Sequence, residues 1–140
     1  MKKIIGRIDK ADFPELDLLE IAIKVDTGAY TSSIHCTNVQ IVDGVLKCNF
    51  YDEEHANYNG REVTFKTFKT AKIKSSNGII QTRYKIKTTI VLFQKTYKIN
   101  LTLSDREEMK YPVLLGRQFL NKKFIVDPGL TNVSFKQSKK

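Results

Sequence analysis

The sequence predicts a small all-β protein, a closed barrel of short strands with one or two short helices. Three observations carry that reading. From Val63 to Ser104 apolar and polar residues alternate with little interruption, the period-two pattern of strands with one face in a core. Turn signals recur at short intervals, with Asp43-Gly44 and Asn77-Gly78 the strongest, because such pairs accept the positive φ values of a two-residue hairpin turn. The 140 residues, 41% of them hydrophobic, make one domain over 1–140 with room for a real core. Closing short strands into a barrel leaves no sheet edge exposed.

Taken in order, Lys3 to Ile8 reads as a first strand, followed by a loop at Pro14. In the apolar run Leu18 to Val25, Ile21, Ile23 and Val25 share one face, while Ala22, Lys24 and Asp26 share the other. The run stops on Asp26-Thr27-Gly28 and gives way to Tyr30 to Cys36, rich in hydroxyls and β-formers. Asp43-Gly44 joins Val39–Ile41 to Val45–Cys48 as a hairpin, and the polar, acidic stretch Tyr51 to Arg61 reads as a loop. Ser75-Ser76-Asn77-Gly78 marks another hairpin. A two-residue turn there places Lys72 opposite Arg83 and Lys74 opposite Gln81 on one face. Asp105 to Lys110 and Gly116 to Lys122 read as short helices, Phe124–Val126 and Asn132–Phe135 as closing strands around Pro128-Gly129, and residues 137–140 as a frayed tail.

Lys and Arg number 24 against 15 Asp and Glu, a formal net charge of +9. That excess favours an anionic partner. The chain lacks aromatics interleaved with basic residues on a strand pair, which argues against an RNA- or ribosome-binding barrel. No apolar run approaches membrane-spanning length and no signal segment is visible, so the expected compartment is the cytoplasm and no membrane partner is expected. His35, Cys36, Cys48 and His55 match no usual zinc spacing, and adjacent His35 and Cys36 on a strand would face opposite ways. With no His-Glu-x-x-His and no Gly-x-x-x-x-Gly-Lys motif either, neither a metal nor a nucleotide cofactor is expected.

The chemistry centres on Asp26-Thr27-Gly28. Read alone, the triplet is either an Asx-type turn or a carboxylate held still, with Thr27 as hydrogen-bonding hydroxyl and Gly28 allowing close approach. About ninety residues later Val113-Leu114-Leu115-Gly116-Arg117 is an apolar strand ending on a glycine. Together these stretches resemble the pepsin-like and retroviral aspartic protease lobe. With Lys24-Val25-Asp26-Thr27-Gly28-Ala29, Ser75-Ser76-Asn77-Gly78, Leu101 to Arg106 with Met109 and Pro112, Leu114-Leu115-Gly116-Arg117 and Val126-Asp127-Pro128 in this order, the chain resembles the retropepsin-like family labelled "ATP-dependent zinc protease". The likeness covers about residues 4 to 134. It departs at Tyr30, where members commonly have Arg.

The resemblance implies an acid-protease barrel in which the late strand passes beside the Asp loop, its glycine permitting the crossing, and a flap hairpin hangs over the cleft. It implies Asp26 as the catalytic carboxylate, positioned by Thr27 and Gly28. A pair of Asp groups sharing a proton is needed, so one Asp-Thr-Gly per chain implies a homodimer. Lys24 either favours an ionised Asp26, against an acid optimum, or snorkels to water. Family members are associated with ATP-grasp ligases that add glutamate tails, which implies a glutamate-rich or poly-glutamate peptide as substrate and such a ligase as partner. Candidate substrate contacts are Lys24, Ala29, Thr31 and Ser76, with Lys72 and Arg83 on the hairpin. Arg106 and Arg117 add forked donors suited to carboxylates, or serve structure, Arg106 with Asp105 at a helix start and Arg117 against Asp127. The alternative function is a non-catalytic module of the same fold that recognises acidic tails or partners the ligase.

Overall fold

The computed structural model describes residues 2–51, 59–74, 77–105 and 110–138. Twelve strands run in the order β1 (Lys3–Ile5), β2 (Ile8–Phe13), β3 (Leu18–Val25), β4 (Ser32–His35), β5 (Thr37–Val42), β6 (Val45–Tyr51), β7 (Asn59–Phe65), β8 (Lys69–Lys74), β9 (Ile80–Leu92), β10 (Lys95–Ser104), β11 (Val113–Leu115) and β12 (Phe124–Val126), with α1 (Arg117–Leu120) and α2 (Val133–Ser138) and a 3-10 turn at Pro14–Leu16. Six strands close a ring, β10-β4-β11-β3-β2-β9, because β9 pairs back onto β10; β8 extends β9 outward. β11 lies parallel to β3, and β4 parallel to β10; the other pairings in the ring are antiparallel. A meander of β5, β6 and β7 and a parallel pair of β1 with β12 complete the all-β architecture. No helix among the described residues is long and apolar enough to cross a membrane.

The alternation read from sequence is the burial pattern observed over most of the barrel, but Thr102 and Ser104, on the polar side of β10, are buried too. Ile21, Ile23 and Val25 point into the core while Lys24 is exposed. Ile86, Ile90 and Leu92 of β9 and Ile99, Leu101 and Leu103 of β10 fill the barrel from the other side, each contributing about 1.5–3 kcal/mol of apolar burial. Asp43 (φ 51°) and Gly44 (φ 77°) form the expected two-residue turn, with Val42 opposite Val45.

Several expectations need correction. The first strand is two, broken at Gly6, where a Cβ would collide with the Leu130 carbonyl; the break sends β1 to β12 and β2 into the barrel. β7 starts at Asn59, so the acidic loop is shorter than expected, and residues 52–58 lie outside the described residues. The expected helix at 105–110 is not helical at Asp105 or Lys110, and 106–109 lie outside the described residues. Asn132–Phe135 is not a strand. Val133–Ser138 is helical, taking in Gln137 and Ser138 of the expected tail, because the buried Asp9 carboxylate accepts the N–H groups of Ser134 (2.9 Å) and Phe135 (3.1 Å). An acceptor at the first turn satisfies amides a helix cannot pair internally.

The hairpin register also differs. Lys72 lies opposite Thr82 and Lys74 opposite Ile80, while Arg83 faces Ala71 and Gln81 faces Ile73. Of Asn77 and Gly78 only Gly78 has positive φ (86°), and the Asn77 side chain instead accepts the Ile79 N–H; with Lys74 opposite Ile80, five residues join the strands. A one-residue slip exchanges faces, which puts Lys72 and Arg83 on opposite sides of the sheet. β9 and β10 are joined by a two-residue turn with no glycine, Phe93 (φ 53°) and Gln94 (φ 60°). Left-handed backbone costs about 1–2 kcal/mol per such residue; the buried Phe93 ring against Phe124 and the Phe93 N–H bond to Ser134 Oγ (2.7 Å) offset it.

Candidate functional site

Asp26 sits where β3 leaves the barrel, held by backbone on two sides. Its N–H donates to the Leu115 carbonyl (2.9 Å) and its carbonyl accepts the Ala29 N–H (3.2 Å). Its carboxylate Oδ1 accepts the Gly28 N–H (3.0 Å). Asp26 as a residue is half-buried, and the bond to its carboxylate lies at the exposed side. A Cβ on Gly28 would lie 3.3 Å from that oxygen, so glycine leaves the acid room in its own turn.

The late strand crosses beside this loop. β11 pairs with β3, Leu114 opposite Lys24 and Leu115 opposite Val25. At the crossing, a Cβ on Gly116 would stand 2.5 Å from the Thr31 carbonyl oxygen and 2.7 Å from that of Tyr30. Three bonds lace the two segments: Gly116 N–H to Ser32 Oγ (3.0 Å), Arg117 N–H to the Ala29 carbonyl (2.8 Å) and Gln118 N–H to the Tyr30 carbonyl (2.9 Å). The Arg117 guanidinium donates to the Thr27 carbonyl (2.9 Å) and lies over the exposed Tyr30 ring at 5.8 Å. Arg117 therefore does not pair with Asp127, whose carboxylate instead accepts the Gly129 N–H (2.9 Å) and shapes the Pro128 turn. A cavity of about 440 Å³ opens here, with Thr27, Tyr30, Arg117, Gln118 and Lys122 in its wall.

Of the residues singled out in the sequence, Asp26, Thr27, Gly28, Ala29, Thr31 and Arg117 thus meet at one corner of the barrel. Lys24 is close in sequence but exposed, and among the described residues it makes no ion pair with Asp26. Lys72 and Arg83 lie on the β8–β9 hairpin, and Arg83 donates to the Gln81 side chain (3.0 Å). Ser76, Arg106 and His55 lie outside the described residues. Sequence reading missed Ser32 and Gln118. The hydroxyl-rich run Thr31-Ser32-Ser33 was the available signal for Ser32, but nothing local says that its oxygen receives a glycine N–H from 84 residues away.

Among the described residues no group of three or more His, Cys, Asp or Glu side chains is placed to hold a metal ion. Cys36 and Cys48 are free and buried, and His35 is half-buried. A hydrogen bond with Cys48, together with burial, holds the Cys36 thiol well above its usual range.

A family model described as "RimB-like: Retropepsin-like aspartic endopeptidase RimB" matches residues 4–137. A probable alpha-L-glutamate ligase of Desulfotalea psychrophila is 38% identical over 135 residues, which are 92% of this chain and 29% of that protein. A protein of the same description from Shewanella halifaxensis is 38% identical over 133 residues, 91% of this chain and 29% of its own length. The chain thus spans about 29% of the length of these curated relatives. Among solved structures, protein Lpg0085 of Legionella pneumophila, of unknown function (DUF785), superposes with a TM-score of 0.74 at 25% identity, covering 96% of this chain and 99% of that one.

Proposed function

Because this chain belongs to the RimB-like family of retropepsin-like aspartic endopeptidases, we propose that it is a peptidase in which Asp26 hydrolyses a glutamate-rich or poly-glutamate peptide. The observation that carries the reading is the Asp26 carboxylate held by the Gly28 N–H in a loop that β11 braces from behind. A carboxylate immobilised on rigid backbone is what proton transfer to and from a bound water requires. Two such groups divide the work. The ionised one takes a proton from the attacking water, and the protonated one polarises the scissile carbonyl and supplies the proton the leaving amine needs. One chain provides one Asp-Thr-Gly loop, so the pair is assembled from two copies about a two-fold axis.

The acidic substrate follows from charge. The cavity beside the loop carries Lys2, Arg117 and Lys122 in its wall and, among the described residues, no carboxylate, and the chain as a whole is +9. The relatives described as glutamate ligases extend well beyond the matched segment, an arrangement that would place a domain like this one beside an enzyme that joins glutamate. That length relation also supports a second reading, a module that holds the acidic tail for a ligase without cleaving it. The two separate in one assay, with wild type and Asp26→Asn incubated with a poly-glutamate peptide followed by mass. Shortened products from wild type and none from the folded variant support hydrolysis by Asp26. Equal cleavage by both removes Asp26 from the chemistry, and no cleavage by either, with retained binding, favours the module.

A further inference from the structure

We propose that the outer face of β9 and β10 is a second binding site, a lysine track that holds acidic peptide away from Asp26. It rests on the acidic-substrate reading above and extends it to a surface that reading does not use. Directly paired residues of an antiparallel sheet share a face. Lys69 lies opposite Lys85, Thr102 opposite Lys85, Asn100 opposite Lys87 and Lys98 opposite Thr89. Lys69, Lys85, Lys87 and Lys98 are therefore neighbours on one side of three strands. Lys69 facing Lys85 opposes the pairing of its own strands, and among the described residues no ion pair reaches any of the four.

Two cavities open along this face, and Lys87 lines both. The larger, about 530 Å³, has Lys87, Lys98, Lys123 and Asn100 in its wall. The smaller, about 140 Å³, has Lys69 and Lys85. Among the described residues Glu15 is the one carboxylate in either wall against these five lysines. Neither cavity is lined by Asp26, Thr27 or Gly28.

The shape of the track selects a chain over a small anion. Lys85 and Lys87 are two residues apart on a strand, a step of about 6.8 Å. Alternate side chains of an extended peptide repeat at the same distance, so carboxylates on every second residue meet successive ammonium groups. A nucleic acid strand would need open aromatic faces for its bases. Phe119 is buried, packed on Tyr97 and covered by Lys123, and Phe68 is engaged edge-on with Tyr84.

The test uses the full chain and a fluorescently labelled linear octaglutamate peptide. Anisotropy gives affinity at low and high salt, and amide chemical-shift changes in the wild type locate the peptide. The proposal expects shifts at 85–89 and 98–100, binding that weakens with salt, and a loss of about tenfold in Lys85→Glu, Lys87→Glu, Lys98→Glu. Affinity within about twofold of wild type in a folded triple variant, shifts confined to 24–31 and 71–83, or tighter binding of a single-stranded oligonucleotide of equal charge overturns it. Should the triple variant not fold, the wild-type shift map decides. Peptide on the track without cleavage sinks the peptidase and leaves the track standing; cleavage with no shift on the track does the reverse.

Discussion

Replacing Gly116 by alanine probes the tightest crossing in the molecule. The new methyl would stand 2.5 Å from the Thr31 carbonyl oxygen and 2.7 Å from that of Tyr30, where ordinary contact begins near 3.4 Å. Both oxygens are backbone, so no side chain can swing aside. The backbone of Gly116 is extended (φ −93°, ψ 177°), a conformation alanine adopts freely, and the cost is therefore steric. Overpacking of this kind costs about 1–3 kcal/mol. Opening the crossing also stretches the bonds from Gly116, Arg117 and Gln118 to Ser32, Ala29 and Tyr30, at roughly 1 kcal/mol for each one lost. A total of about 3–4 kcal/mol lowers the melting temperature of a domain this size by about 10 °C. Gly44→Ala is the control. Nothing lies within 4 Å of its Cβ position, but φ is 77°, so it bears only the left-handed penalty of about 1 kcal/mol. Thermal unfolding followed by circular dichroism compares the two. If Gly116→Ala melts no lower than Gly44→Ala, the claim that this glycine sets the approach of β11 to the Asp26 loop is wrong.

Two further substitutions test other joints of the fold. Asp9→Ala removes the acceptor of the Ser134 and Phe135 N–H groups and of Lys10 N–H; it is expected to cost about 2–3 kcal/mol. Amide exchange at 134 and 135 should accelerate before the barrel opens, and unchanged protection there would deny the capping role. Thr88→Val replaces a buried hydroxyl that has no partner among the described residues by a methyl of similar size and should stabilise the protein by roughly 1 kcal/mol in urea titration. A loss of stability would mean that the oxygen does have a partner.

Features set by residues next to one another in the chain were legible in the sequence. The strand Leu18–Val25 announced its buried face through Ile21, Ile23 and Val25, and Asp43-Gly44 announced a two-residue turn. The crossing at Gly116 was implied by the resemblance to the aspartic protease lobe, although only the register of β11 shows which carbonyls it meets. What escaped was set from afar. Val133-Ser134-Phe135 has the composition of a strand, and its helix depends on a carboxylate 125 positions earlier. The Phe93-Gln94 turn carries no turn residue and is held by Ser134 and Phe124. The β8–β9 register turned on whether Asn77 would enter the left-handed region or use its side chain, and its side chain accepts the Ile79 N–H.

The knot between the two halves of the chain has a consequence for how the protein comes into being. β1 needs Phe124–Val126 as its strand partner, Ile8 bridges Thr131, and Asp9 needs the amides of 134 and 135. Segments synthesised first must wait for those synthesised last, and such distant pairings slow the search for the native state. On the ribosome the opening strands emerge with these partners still unmade, and a chain interrupted before residue 135 leaves Ile5 and Asp9 without the neighbours that bury them.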